Sequence, residues 1–213
     1  MSAENRLTSI VSYPERGTGG NNRYRGNCSP KLIEDLIEAS KASTGNLAVH
    51  LEKLEAGVSV VQIVGEFEDK LNAADLTLLI QKPETPVYVM ADGRHFWRVI
   101  DNLMNNICKY AQPGTRVYVD LRENGGQVEL IFRNTSRYPL NISSEELMER
   151  FVRGDESRNT EGSGLGISIA KSLMELMGGS FMLYVDGDLF KVVLGFAQIA
   201  EEKEPLNEDE SGK

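Results

Sequence analysis

The sequence predicts an α+β fold: a two-layer α/β sandwich in which a mixed sheet packs on helices, preceded by a short helical segment. Helical patterns alternate with pairs of strands rather than with single strands, which excludes a doubly wound parallel sheet. Two of these pairs are joined by the turn-forming runs Asn124-Gly125-Gly126 and Asp186-Gly187-Asp188, as is typical of hairpins. With 213 residues, of which 40% are hydrophobic, the chain is long enough for one sizeable core.

Three regions of different composition divide the chain. Residues 1–45 contain a loop rich in Gly, Asn and Arg at 14–30 and a helical pattern of apolar residues at 31–43. Residues 46–200 carry the alternation of helices and strands and form the predicted main domain. Residues 201–213 are acidic, and we expect a disordered tail there.

Hydrophobic periodicity assigns the elements of the main domain. In chain order they are a strand at 46–54, a helix at 58–71, strands at 76–80 and 87–90, a helix at 93–110, strands at 117–122 and 128–133, a helix beginning at 143, a helix at 165–177, and strands at 181–185 and 190–197. A capping serine, Ser143, marks one helix start, Asp92-Gly93 begins the helix at 93–110, and Gly178-Gly179 ends the helix at 165–177. In the helix at 58–71 the residues expected to point inward are Val60, Val61, Val64, Phe67 and Leu71.

The composition argues against nucleic acid as the main partner. With 23 Lys+Arg against 32 Asp+Glu the net charge is −9, whereas binding a phosphate backbone needs a basic surface. Cys28 and Cys108 are far apart in sequence, so we expect neither a disulfide framework nor a zinc site, and a reducing cytosol fits. No apolar stretch approaches the ~20 residues of a membrane helix, and the first residues lack the apolar core of a signal peptide.

One face of the helix at 93–110 carries residues suited to a nucleotide. Four polar residues share it at spacings of four, four and three: Arg98, Asn102, Asn106 and Lys109. A separate stripe faces the core: Phe96, Val99, Ile100, Leu103 and Ile107. Asparagine is a poor helix former, but its carboxamide oxygen binds Mg²⁺ without adding negative charge beside a triphosphate, and Lys109 offsets phosphate charge. The alternative is a merely solvated helix face.

The run Gly162-Ser163-Gly164-Leu165-Gly166 leads into the helix at 165–177. Its glycines permit positive φ and close backbone approach, and the helix N-terminus offers unpaired N–H donors to an anion. A Walker loop would need a lysine directly after Gly166, and none occurs before Lys171. A dinucleotide-binding loop would need a preceding strand, but residues 153–161 are polar. A plain turn between two elements is the remaining alternative.

The polar stretch 153–161 is typical of a lid over a nucleotide. Arg153 and Arg158 are the residues that would reach phosphates from it, and the alternative is that both only solvate the loop. Neutral oxygen donors, a cation and free backbone N–H groups are together what a magnesium–nucleotide complex requires.

Three motifs succeed one another in the chain: an N box at 102–110 (Asn-Leu-Met-Asn-Asn-Ile-Cys-Lys-Tyr), an F-box-like run at 149–153 (Glu-Arg-Phe-Val-Arg) and a glycine box at 162–166. Residues 46–200 thereby resemble the catalytic ATP-binding domain of bacterial sensor histidine kinases, in the GHKL superfamily with its Bergerat fold. The resemblance implies ATP and Mg²⁺ as cofactors, Asn106 as the magnesium ligand and Phe151 as an anchor of the lid. The candidate nucleotide-binding residues are then Asn102, Asn106, Lys109, Tyr110, Asn134, Arg153, Gly162, Ser163, Gly164, Leu165 and Gly166.

The first part of the chain resembles the family's dimerisation and phosphotransfer domain. Residues 31–45 look like the end of its second helix, and residues 7–13 look like the stretch just after the phosphoacceptor histidine on its first helix. The resemblance implies a homodimeric full-length kinase in the cytoplasm, either free or as the cytosolic part of a membrane-bound bacterial sensor. Such a kinase binds ATP and ADP, transfers the γ-phosphoryl group to a histidine and relays it to the receiver domain of a response regulator.

Two departures from the family's pattern limit what the chain does alone. Residues 1–6 stand in the place of the phosphoacceptor and contain no histidine, and we expect His50, within a predicted strand, and His95 to be surface or packing residues. We therefore assign no catalytic residue and expect no autophosphorylation by this chain alone. Asn134 stands where the family has an adenine-binding aspartate; its carboxamide oxygen accepts the same hydrogen bond without the charge, unless it only caps the strand.

Two other functions stay open. One is a nucleotide-binding interaction module that no longer transfers phosphate, and the other is a different GHKL protein such as an anti-sigma-factor serine kinase. Mismatch-repair and chaperone ATPases would need a further transducer domain, for which we expect no room in 213 residues. The anti-sigma-factor kinases match in size, but residues 31–45 match the histidine kinases better.

Overall fold

The structure is a computed structural model that describes residues 41, 47–140, 143, 146–147 and 165–199. Seven strands and four helices lie entirely within these residues. Their bounds are β1 Glu52–Glu55, α1 Ala56–Gly65, α2 Glu68–Ala73, β2 Leu76–Gln81, β3 Tyr88–Ala91, α3 Gly93–Tyr110, β4 Thr115–Asn124, β5 Gln127–Thr135, α4 Gly166–Leu176, β6 Ser180–Asp186 and β7 Leu189–Ile199.

The strands form one mixed sheet in the order β1-β3-β7-β5-β4-β2, with β6 also paired to β7. All pairs are antiparallel except β2 with β4, which run parallel. The long strand β7 pairs with β5 along one edge, whereas β6 and then the end of β3 share its other edge. A mixed sheet packed on helices is the fold class that the sequence predicts, and the prediction is confirmed.

The core lies between one face of the sheet and the helices. Along β4 and β5 every second residue is buried on this face: Val117, Val119, Leu121, Val128, Leu130 and Phe132. The predicted stripe of α3 meets them, because Phe96, Val99, Ile100, Leu103 and Ile107 are each no more than 1% exposed. The rings of Phe96 and Phe196 lie with centroids 5.6 Å apart and join α3 to β7. The predicted inner stripe of this helix is therefore confirmed.

Turn and cap residues set the boundaries of the best-predicted elements. The side chain of Asp92 accepts hydrogen bonds from the first turn of α3, and the β4–β5 hairpin turns at Gly125 and Gly126, both with positive φ. The β6–β7 hairpin turns at Gly187 with φ 56°. Oγ of Ser143 accepts from the N–H of Glu146 at 3.1 Å, as expected of the predicted helix start.

Two predicted elements differ from the structure. The strand expected at 46–54 is wrong in its bounds, because β1 spans only Glu52–Glu55 and the preceding residues form no strand. The single helix expected at 58–71 is also wrong. α1 ends at Gly65 because the next two N–H groups, of Glu66 and Phe67, bond to carbonyls three residues back and tighten the chain into a turn. Val61, expected inside, is 41% exposed.

Several predictions concern residues outside the described ranges. They are the loop at 14–30, the helix at 31–43, the lid at 153–161 and the tail at 201–213. Among the described residues, no helix combines the length and the apolar composition needed to span a membrane.

Candidate functional site

The polar face of α3 lies against the start of α4. Asn102 is only 9% exposed, and a β-carbon built on Gly166 would stand 3.3 Å from its Oδ1 and 3.7 Å from its Cβ. A glycine at this position therefore lets the first turn of α4 touch the carboxamide. The structure thus brings Asn102 of the predicted helix face together with Gly166 at the end of the predicted glycine loop.

The start of α4 presents backbone donors beside this carboxamide. Leu165 precedes the helix, and its aliphatic side chain has no oxygen that could cap the first turn, whereas Asp92 caps α3. The first N–H groups of a helix have no partners within it, and the helix dipole places partial positive charge there. This end of α4 is therefore suited to an anion lying next to Asn102.

Of the four buried side-chain atoms that lack a hydrogen-bond partner among the described residues, one each belongs to Asp120 and Arg133, which pair with each other, and two belong to asparagines. These two are Nδ2 of Asn102, a donor, and Oδ1 of Asn134, an acceptor. Asn134 is 4% exposed, and buried polar atoms are nearly always paired in native proteins. A ligand that accepts near Asn102 and donates near Asn134 would satisfy both atoms.

Asn134 sits where the end of β5 meets the end of α3. Its Nδ2 donates to the carbonyl of Thr135 at 3.2 Å, and the same carbonyl accepts from the N–H of Gln112 at 2.8 Å. The N–H of Arg137 bonds to the carbonyl of Tyr110 at 2.8 Å. These contacts turn the carboxamide so that Oδ1, rather than Nδ2, is the atom without a partner.

The two consecutive asparagines of α3 have different surroundings. Asn105 belongs to the fold: its Nδ2 donates to the carbonyl and to Oδ1 of Asp101, both at 2.8 Å, and its Oδ1 accepts from Nζ of Lys70 at 3.0 Å. Asn106 lies one turn after Asn102 and is half-buried on the same side of the helix. Of the pair, Asn106 is therefore the one placed to meet a ligand.

The remaining candidates on α3 are half-buried near its C-terminal end. Nζ of Lys109 lies 4.9 Å from the ring centroid of Tyr110. At the other end of the same face, Nη1 of Arg98 lies 3.4 Å from Oδ2 of Asp101, and both side chains are mostly buried. Sequence reasoning placed Arg98 on the predicted nucleotide face but did not connect it with Asp101, although the spacing of three residues on a helix was a signal for this pair.

The two histidines do not lie at the site. His50 is exposed and outside any strand, so its expected place in a strand is wrong. Its N–H donates to Oδ2 of Asp92 at 2.9 Å, and the buried ring of His95 lies with Nε2 3.1 Å from the carbonyl of Ala48. Both are held at the start of α3, remote from Asn106.

The pKa of Asp92 is shifted by its surroundings. Burial by itself raises the pKa of this carboxyl, but the N–H groups of His50, His95 and Arg94 and the nearby imidazole together outweigh burial. The pKa of Asp92 therefore lies below its ordinary value, and the carboxylate is ionised at neutral pH.

Part of the predicted site lies outside the described residues. This part consists of Phe151, Arg153, Arg158, Gly162, Ser163 and Gly164.

Comparisons with known proteins show the family and the fold of the chain. A family model described as histidine kinase-, DNA gyrase B-, and HSP90-like ATPase matches residues 91–204, more than half of the chain. Sensor histidine kinase HprS of Escherichia coli K12 is 29% identical over 182 residues, covering 81% of this chain and 37% of HprS. Sensor protein DivL of Caulobacter vibrioides is 25% identical over 186 residues, covering 81% of this chain and 24% of DivL.

The fold is that of histidine kinase catalytic domains, the Bergerat fold. The histidine kinase AdeS of Acinetobacter baumannii superposes with a TM-score of 0.63 at 20% identity, covering 80% of this chain and 78% of the AdeS chain. The chain spans only 24% to 37% of the length of the curated relatives that it matches.

Proposed function

Because the chain belongs to the family of histidine kinase-, DNA gyrase B- and HSP90-like ATPases, we propose that it is the catalytic domain of a two-component sensor histidine kinase, binding ATP with Mg²⁺. One observation carries the proposal beyond family membership. The buried Nδ2 of Asn102, which lies against the start of α4, and the buried Oδ1 of Asn134, at the end of β5, have no partner among the described residues.

A nucleoside triphosphate fits the chemistry of these two atoms. Its phosphate oxygens accept hydrogen bonds, as Nδ2 of Asn102 and the first N–H groups of α4 require. The exocyclic amine of adenine donates, as Oδ1 of Asn134 requires. Asn134 has no charge, so we expect a weaker bond to the base than a carboxylate would make.

The metal would be held by Asn106, whose carboxamide oxygen is a neutral ligand for a hard cation. Bound Mg²⁺ neutralises phosphate charge, which is its usual contribution to phosphoryl transfer. Lys109 adds a cation near the phosphates and Tyr110 lines the ribose. Leu165 and Gly166 belong to the phosphate loop.

The rest of the loop and the lid enter the proposal from the sequence alone. Gly162, Ser163 and Gly164 would supply backbone N–H groups to the phosphates. Arg153 would add a cation from the lid, which Phe151 would anchor.

The reaction we propose is transfer of the γ-phosphoryl group of ATP to a histidine outside this chain. His95 is unsuited to accept it because its ring is buried between the carbonyl of Ala48 and the carboxylate of Asp92. The partners are an acceptor-histidine domain, a second copy of the full-length kinase, and the receiver domain of a response regulator. HprS, whose name is that of a sensor histidine kinase, supports this assignment.

A calorimetric titration of the purified chain with a non-hydrolysable ATP analogue, with and without Mg²⁺, tests the binding step. We expect saturable binding that Mg²⁺ strengthens and that Asn106→Asp weakens at least tenfold, because a carboxylate repels the phosphates. Asn72→Asp is the matched control, since Asn72 is an exposed residue of α2 and the variant makes the same change from carboxamide to carboxylate. Equal affinity in wild type and Asn106→Asp would remove the site assignment.

Incubation with labelled ATP and a separate, intact acceptor domain tests the transfer step. Phosphohistidine on the acceptor is the expected product. Nucleotide binding without any transfer would instead identify the chain as a binding module.

A further inference from the structure

The positions of Asn134 and Asn102 along α3 indicate how a bound nucleotide would be oriented relative to the helix axis. Asn134 is tied to the C-terminal end of α3, where the carbonyl of Thr135 bonds to Gln112 at 2.8 Å. Asn102 and the anion-binding end of α4 lie eight residues before Tyr110, which is about 12 Å along the axis. With its base at Asn134, as the proposed function requires, a nucleotide extends its phosphates toward the N-terminal end of α3.

Arg98 is the first cationic side chain of α3 beyond Asn102 in this direction. Arg98 precedes Asn102 by one turn on the same face, about 6 Å further along the axis. Its side chain is 18% exposed, unusually little for an arginine, and Nη1 lies 3.4 Å from Oδ2 of Asp101. A guanidinium held so deeply is costly unless it is paired, and Asp101 is one of its partners.

A chain of contacts holds this guanidinium in place. The other carboxylate oxygen of Asp101 accepts from Nδ2 of Asn105 at 2.8 Å. Asn105 in turn accepts from Nζ of Lys70 on α2 at 3.0 Å. Arg98 is therefore oriented from the outer side of α3, and its planar fork of N–H donors is pre-organised for oxygen ligands.

We propose that Arg98 binds the terminal phosphate of ATP and so distinguishes the triphosphate from the diphosphate. The inference rests on the proposed function and adds a residue that discriminates substrate from product. A cation at the γ-phosphate stabilises the charge on the group that is transferred. After transfer that contact is gone, so ADP leaves more readily than ATP.

The affinities of ADP and of a non-hydrolysable ATP analogue, both measured calorimetrically with Mg²⁺, test the inference. In wild type we expect the analogue to bind about tenfold more tightly than ADP, as one charge-assisted contact provides. Arg98→Gln should bring this ratio close to one while the affinity for ADP stays unchanged. Arg98→Lys, which keeps the charge without the fork, should give a ratio between the two.

Arg94→Gln is the matched control. Arg94 lies one turn earlier on α3, its side chain is 76% exposed, and it contacts Asp92 at 3.7 Å. This variant should keep the wild-type ratio. A second variant, Asp101→Asn, releases Arg98 without removing it and should lower the ratio by a few fold.

Each outcome separates this inference from the proposed function. If Arg98→Gln weakens ADP and the analogue equally, or changes neither, Arg98 does not contact the terminal phosphate and the inference is overturned. If wild-type protein binds neither nucleotide, the proposed function itself fails. Thermal unfolding of every variant shows that the comparison is made on folded protein.

Discussion

The start of α3 and the proposed ligand-facing side of the same helix are both buried and polar, yet their hydrogen bonds are completed differently. At the start, Asp92 is 2% exposed and accepts from three N–H groups, those of His50, Arg94 and His95. On the ligand-facing side, Asn102 and Asn134 are also buried, but each keeps one atom without a partner among the described residues.

The helix ends repeat the contrast. α3 begins at a carboxylate that caps its first turn, whereas Leu165, the residue before α4, has no side-chain acceptor. A buried polar group that serves the fold finds its partners within the fold. The unpartnered atoms of Asn102 and Asn134, together with the start of α4, therefore mark the place where we expect a ligand.

The largest effect is expected from filling the contact between the two helices. A side chain at Gly166 would press on the Asn102 carboxamide, because even a β-carbon would stand 3.3 Å from Oδ1. We expect Gly166→Val to weaken binding of the ATP analogue roughly a hundredfold, since overpacking costs about 1–3 kcal/mol and here falls on the ligand. Calorimetric titration measures the loss.

Gly65→Ala is the control for a helical glycine without a binding role. A β-carbon there meets nothing within 4 Å, so the variant should keep nucleotide affinity and gain about 0.5–1 kcal/mol of stability. Wild-type affinity in Gly166→Val would show that the start of α4 does not meet the nucleotide.

The next largest effect is expected from removing the carboxylate of Asp92, which accepts hydrogen bonds from three N–H groups. Asp92→Ala leaves the N–H groups of His50 and the first turn of α3 without their acceptor. We expect the free energy of unfolding to fall by about 2 kcal/mol, measured in urea, while the folded fraction binds the nucleotide as wild type does. A variant that loses binding but no stability would contradict the structural role assigned to Asp92.

The acidity of Asp92 adds a pH signature. Its pKa is lower in the folded than in the unfolded protein, so the ionised carboxylate stabilises the fold above the unfolded pKa of about 3.9. This contribution is lost as the pH falls through the lower, folded pKa. Asp92→Asn should therefore show a flatter decline of stability than wild type below about pH 4.

Substitution of Asn134 is expected to change the stability of the unliganded protein in the opposite direction, because one buried atom of this side chain has no partner among the described residues. Asn134→Leu replaces a buried carboxamide, whose Oδ1 has no partner among the described residues, by an apolar side chain of similar shape. We expect the unliganded protein to gain about 1 kcal/mol in urea unfolding, although the 3.2 Å bond to Thr135 is lost. Affinity for the ATP analogue should fall about tenfold. A loss of stability comparable to that of Asp92→Ala would show that Asn134 serves the fold instead.

Sequence reasoning predicted the elements whose signals are local. The hairpin turns at Gly125 and Gly187 and the helix start at Asp92 are each contained in a few residues. The segment 47–51 alternates apolar and polar residues like a strand, yet it is held by Asp92 and His95, which lie more than 40 residues away. Periodicity within a segment carries no information about such distant partners.

Long-range pairing also limited the prediction of the sheet and the site. β2 and β3 are consecutive in sequence, but β2 lies at one end of the sheet beside β4, and β3 lies between β1 and β7. The candidate face of α3 was predictable because one helix contains it. The contact of Asn102 with Gly166 and the atoms left without partners depend on how α3, α4 and β5 pack.

The smallest effect is expected from replacing His95, whose ring hydrogen-bonds to the segment before β1 at the start of α3. Its Nε2 lies 3.1 Å from the carbonyl of Ala48, so His95→Leu leaves that carbonyl without its donor. We expect a loss of about 0.5–1 kcal/mol in urea unfolding and faster hydrogen exchange of the His50 amide, because the segment before β1 loosens. Nucleotide affinity should not change.

His95→Gln decides whether the hydrogen bond or the volume of the ring matters. Glutamine carries an amide N–H that reaches toward the Ala48 carbonyl, so it should restore most of the stability and the slow exchange of the His50 amide. If leucine and glutamine behave alike, the ring acts only by packing, and Asp92 alone then holds the incoming segment. In that case the hydrogen bonds at the start of α3 would depend on the carboxylate of Asp92 alone. The difference from the proposed ligand-facing side, where Asn102 and Asn134 each keep an atom without a partner among the described residues, would then rest on that one side chain.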